Sequence, residues 1–136
     1  MNDEDLLGKA LYITREAATK VLNDVGLVLP VGVSLDADGE NVSTYFPRDD
    51  HREANFGALL DLVTTELSRR VASGEAAVVA LALTLTGEDG PTAIGIQVES
   101  LTSAVALFYP YKKRGKKWTV GEAEASDGLF VDPLIP

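Results

Sequence analysis

Asp49-Asp50-His51-Arg52-Glu53 is the densest ionisable cluster in the sequence, and it holds the single histidine. An imidazole titrates near neutrality and flanking carboxylates can orient it, which is the chemistry of a metal site or an acid–base pair. The same residues also suit a helix N-terminus: Asp50, with Glu53 three positions later, forms a capping box ahead of an apolar run. Capping accounts for the acids, so the cluster is read as a helix start with His51 facing solvent. A zinc site needs about three protein ligands. With one histidine and no cysteine, carboxylates would have to supply the rest, a donor set better matched to magnesium or calcium. No metal and no cofactor are expected.

Nucleophilic chemistry has little to build on. A serine triad would have to use His51 as its base, and no Gly-x-Ser-x-Gly elbow occurs. Neither of the glycine-rich phosphate-binding signatures, the P-loop or the dinucleotide fingerprint, is present. Among 21 acids some pair always lies close, so paired carboxylates carry no signal for glycoside hydrolysis. No catalytic residue is assigned, and the chain reads as a binding domain rather than an enzyme.

Two other groups of residues suit binding. Gln97 and Glu99 are polar positions in an otherwise apolar strand. Read with Thr84, Ala80, Ala82 and Gly95 on a face of small side chains, they would anchor a ligand in a pocket. The plainer alternative is the solvent side of a one-sided sheet. The second group is Lys112-Lys113-Arg114-Gly115-Lys116-Lys117, with Tyr109, Tyr111 and Trp118 alongside. Here Lys112, Lys113, Arg114, Lys116 and Trp118 would dock an anionic partner. The alternative is a solvated hairpin whose lysines discourage edge-to-edge pairing.

The charge balance frames these readings. Lys and Arg total 12 against 21 Asp and Glu, a net charge of −9, and setting the basic turn aside leaves the remainder more acidic still. Such a field repels nucleic acid and anionic membrane and leaves basic partners open. The acidic start, Asn2-Asp3-Glu4-Asp5, lacks the basic and apolar regions of a secretory signal. The longest apolar run, Ala76–Leu83, is far short of the roughly 20 residues of a membrane helix. The expectation is a cytoplasmic protein.

The elements that position these residues follow from periodicity. The 136 residues make one domain, 1–136, with 121–136 a loop-rich tail. Asp3–Asn23 carries Leu6, Leu7, Ala10, Leu11, Thr14, Ala17, Ala18, Val21 and Leu22 at helical spacing, with Gly26 as its stop. Leu27–Asp36 alternates as a half-buried strand, Asp36-Ala37-Asp38-Gly39 turns, and Asn41–Phe46 returns. A second helix over Asp50–Ser73 buries Phe56, Leu59, Leu60, Val63, Leu67 and Val71, and Gly74 ends it. Ala76–Trp118 then reads as an antiparallel meander. Its strands put Val79, Leu81, Leu83 and Leu85, then Ile94, Ile96 and Val98, then Val105, Leu107, Tyr109 and Tyr111 on a bulky face. Trp118–Val120 and Leu129–Val131 are candidates for further short strands.

The order α-β-β-α-β-β-β predicts an α+β fold, a mainly antiparallel sheet of about four to six strands with two helices packed on one face. Two helices would then leave the small-residue face of Val78, Ala80, Ala82, Ala104, Ala106 and Phe108 bare unless the tail covers it. A bare apolar face would call for a second copy, a homodimer. The functional expectation is a small acidic protein-binding domain. The alternative is a small-molecule-binding domain or enzyme with its pocket around Gln97 and Glu99.

Overall fold

The computed structural model describes residues 2–26, 28, 30–46, 56–87 and 90–135. The acidic cluster around His51, the start of the second helix and the tip of the Gly87–Gly90 turn lie outside that set.

Helix α1 spans Asp3–Val25; the Asn2 side chain caps it by accepting from the Asp5 N–H, and Gly26 stops it at φ 83°. Strands β1 (Val31–Leu35) and β2 (Val42–Tyr45) form the first hairpin. Its turn is built on Asp36, whose carboxylate accepts from the Glu40 and Asn41 backbone N–H groups, with Gly39 at φ 72°. Helix α2 (Phe56–Ala72) leads to β3 (Val78–Gly87), β4 (Gly90–Ser100), β5 (Ala104–Arg114), β6 (Lys117–Val120) and the two-residue β7 (Glu124–Ala125). The fold is α+β with an antiparallel sheet, as the element order implies. Six strands run in the order β2-β1-β3-β4-β5-β6, and β7 adds to β5. Leu129–Val131 is not a strand, and the short β7 falls in a stretch that reads as loop.

The helices do not share a face. β2 and β3 both run antiparallel to β1 from either side, so α2 must cross over β1 to join them. It does so above Gly32 and Ser34, where a Cβ on Gly32 would come within 2.9 Å of Val63 Cγ1. On that face Val63 and Leu67 pack with Val79, Leu81 and Leu83. Helix α1 covers the other face, where Leu6, Ala10, Ala18 and Leu22 meet Val31, Val33, Leu35, Ala80, Ala82, Ile94, Ile96 and Val98. Phe56, expected in the buried stripe, stays 40% exposed at the helix start.

The expected bulky face is also divided. Leu81 pairs with Gln97 and Ala82 with Ile96, so Ile94, Ile96 and Leu107 lie with the small residues of β3, opposite Leu81 and Leu83. The cause is an irregularity between Leu85 and Thr86: Leu85 pairs with Ala93 but Thr86 with Pro91, and Thr92 is passed over. One extra residue in a hairpin flips every side chain beyond it to the other face. The result puts large beside small across strands (Ala82 by Ile96, Leu83 by Gly95), which fills each layer evenly.

Beside α2 the tail takes up part of the same face. Phe130, Val131, Leu134 and Ile135 pack there beside α2. The sheet therefore has packed elements on each side, and of the small residues expected to lie bare, Val78, Ala80 and Ala82 lie under α1, whereas Ala104 stays exposed.

Candidate interaction surface

Gln97 and Glu99 are buried, at 0% and 2% exposure, and their partners are the tail. Gln97 Oε1 accepts from the N–H groups of Phe130 (2.9 Å) and Val131 (3.1 Å), while its Nε2 donates to Val131 O and to Glu99 Oε2. The Glu99 carboxylate accepts from Leu134 N–H through both oxygens, at 3.0 and 2.8 Å, and from Ile135 N–H at 3.2 Å. Ser68 of α2 completes the clamp by donating to Leu134 O at 3.0 Å. An irregular segment laid on a sheet brings backbone groups that the sheet ladder does not pair, and buried amides need acceptors. Gln97 and Glu99 supply them. Among the described residues no cation pairs with Glu99; the amide hydrogen bonds compensate the buried carboxylate.

Thr84 does not join this pair. It belongs to the α1 face, and its hydroxyl donates to Val28 O at 2.7 Å. Ala80 and Ala82 are likewise on the α1 side, so of the expected pocket floor only Gly95 lies with Gln97. There Gly95 makes room for Phe130, whose ring would stand 3.1 Å from an added Cβ.

The basic turn is a two-stranded ribbon. The last β4–β5 pair is Ala93 with Pro110, whereas β5 and β6 continue from Tyr111–Val120 to Arg114–Lys117. Gly115 closes the turn at φ 63°. Lys112, Lys113, Arg114, Lys116 and Lys117 are all exposed, and among the described residues none is paired with a carboxylate. Alternation sorts them. Lys113 shares the α1 face with Trp118, its ammonium 5.6 Å from the ring centre, and Trp118 stands edge-on to Tyr111 at 5.2 Å. Lys112, Arg114 and Lys117 occupy the other face. The ribbon is tied to the body where Trp118 N–H donates to Asn23 Oδ1 at 3.1 Å and Gly121 N–H to Pro110 O at 2.7 Å.

Sequence reasoning thus located the cations and missed the tail clamp. Its signal was present: two polar residues inside an apolar strand, and an apolar tail, Leu129-Phe130-Val131 and Leu134-Ile135, with no strand of its own to join. Among the described residues no helix is long and apolar enough to cross a membrane, and no group of three or more His, Asp or Glu side chains gathers as a metal site. No family model, no curated protein and no solved structure matches the chain.

Proposed function

We propose that this chain is a non-catalytic interaction domain that docks an acidic segment of a protein partner on the β5–β6 ribbon. The observation that carries this reading is the set of five exposed cations on one ribbon with no carboxylate paired to any of them among the described residues. The body of the domain is acidic, but at physiological salt charges are screened over about 8 Å, so a ribbon running past the last β4 pair presents a local positive field. Trp118 and Tyr111 stiffen its base. The rival reading, a small-molecule pocket around Gln97 and Glu99, has less to draw on, because the polar atoms of both side chains are engaged with the tail. A cytoplasmic setting goes with the acidic, cysteine-free composition.

The test is a titration of the whole chain with a hexaglutamate peptide, followed by calorimetry at low and physiological salt. The expected result is binding that weakens steeply with salt, is abolished in the Lys112→Glu/Arg114→Glu double variant, and is not reproduced by a single-stranded oligothymidine. Equal binding by the double variant would overturn the reading.

A further inference from the structure

The face of β5 opposite α1 carries two cavities that share Pro110. One, of about 570 Å³, is lined by Leu85, Ala93, Phe108, Pro110, Phe130 and Ala125, with Ser126 and Asp127 at its edge. The other, of about 200 Å³, is lined by Pro110, Lys112, Arg114, Thr119 and Gly121. Because side chains on one strand face alternate with period two, Phe108, Pro110, Lys112 and Arg114 lie in a row at roughly 7 Å intervals. The row is apolar at one end and cationic at the other. Lys117, paired with Arg114, adds a further positive charge to the cationic end, while Asp127 sets the opposite sign beyond the apolar one.

We propose that this row reads the partner's docking segment as an extended peptide with an apolar anchor followed by acids at the second and fourth positions after it. The anchor enters the cavity walled by Phe108 and Phe130, and the two carboxylates meet Lys112 and Arg114. This inference rests on the ribbon being the docking element, and it specifies the partner's chemistry. The spacing carries it. An extended peptide repeats its same-face side chains at the same interval as β5 does, so one anchor and two acids match the cavity and the two cations without bending. The order of charges fixes the direction, since Asp127 repels an acid placed at the anchor end. The tail contributes as well: Phe130, held in place through Gln97, forms one wall of the cavity, so the clamp that closes the sheet also shapes the anchor site.

The test compares three peptides on the intact chain by amide NMR titration: acetyl-Gly-Phe-Ser-Glu-Ser-Glu-Gly-amide, the same peptide with Ser for Phe, and the same with Gln for both Glu. The expected result is that the Phe peptide binds at least about tenfold more tightly than the Ser peptide, the scale of one largely buried ring, and that the Gln peptide binds more weakly than both. Phe108→Ala, which removes one wall of the cavity, should remove most of the Phe advantage and leave the Ser peptide unchanged. Equal affinity of the Phe and Ser peptides, both lost in Lys112→Glu/Arg114→Glu, would overturn the anchor while leaving the ribbon reading intact. Binding of neither would overturn both.

Discussion

Gln97 and Glu99, two positions apart on one face of β4, are joined side chain to side chain at 2.9 Å and between them accept the backbone N–H groups of Phe130, Val131, Leu134 and Ile135. That relationship turns an irregular tail into the second half of a layer whose first half is α2. Residues that read as ligand anchors in the sequence are anchors here, and what they hold is their own chain.

Replacing Glu99 by Gln tests the clamp. Whichever way the amide lies, its NH2 replaces one carboxylate oxygen and meets donors, either Gln97 Nε2 with the Leu134 N–H or the Leu134 and Ile135 N–H groups, leaving at least one buried donor without an acceptor. The expected cost is about 1.5–3 kcal/mol in denaturant unfolding, with faster amide exchange at residues 130–135. Unchanged stability would mean that the tail is held by its apolar contacts alone.

Gly32 and Gly8 should respond in opposite directions to Ala. At Gly32 the new methyl meets Val63 and Leu67 at 2.9–3.0 Å, so α2 must shift or repack, at a cost of about 1–3 kcal/mol. Gly8 lies inside α1 with nothing within 4 Å of its added Cβ, and relief of glycine's backbone entropy should raise stability by up to about 1 kcal/mol. Thermal unfolding of the two variants checks both signs.

Glu66 gives the acid limb of stability a specific contributor. Arg69 and Arg70 hydrogen-bond its carboxylate at 2.7 and 3.0 Å and pull its pKa from 4.5 down to about 2. A folded-state pKa below the unfolded one stabilises above the unfolded value, and that stabilisation is lost as pH falls from about 4.5 towards 2. Arg70 also donates to Ser34 at 3.0 Å, so the pair helps fasten α2 to β1. Glu66→Gln should therefore cost no more than about 1 kcal/mol at neutral pH and nothing once the pH is well below the folded-state value of about 2, flattening the stability–pH curve between those limits. Parallel curves for the two proteins would contradict this.

How much of this was legible in the sequence depended on whether the signal was local. Helix stops at Gly26 and Gly74, the Asp36–Gly39 turn and the cationic hairpin rest on residues near one another in the chain, and all appear as read. The division of the sheet faces rests on one passed-over residue, Thr92; Gly90 and Pro91 beside it suit a bulge, but they suit the end of a turn equally well and read as one in the sequence. Had Thr92 taken its place opposite Leu85, Leu81 would pair with Ile96 and the bulky faces would coincide. Placing both helices on one face followed from the same phase. The crossover of α2 above β1 could be inferred only once β1 was known to lie between β2 and β3, which hydrophobic alternation does not specify. Thr84 fell in the wrong group for the same reason, whereas Gln97 and Glu99 stayed together because they share a strand.

The most direct measurement of the ribbon account is a map of amide shifts across the whole chain on adding the acidic Phe peptide. Perturbations are expected at Phe108, Pro110's neighbours, Phe130, Lys112–Lys117 and Trp118, with Gln97, Glu99 and the Leu134 amide unmoved. Perturbations centred on Gln97, Glu99 and residues 131–135, with the ribbon silent, would contradict the ribbon account and return the binding site to the part of the α2 face held by the tail.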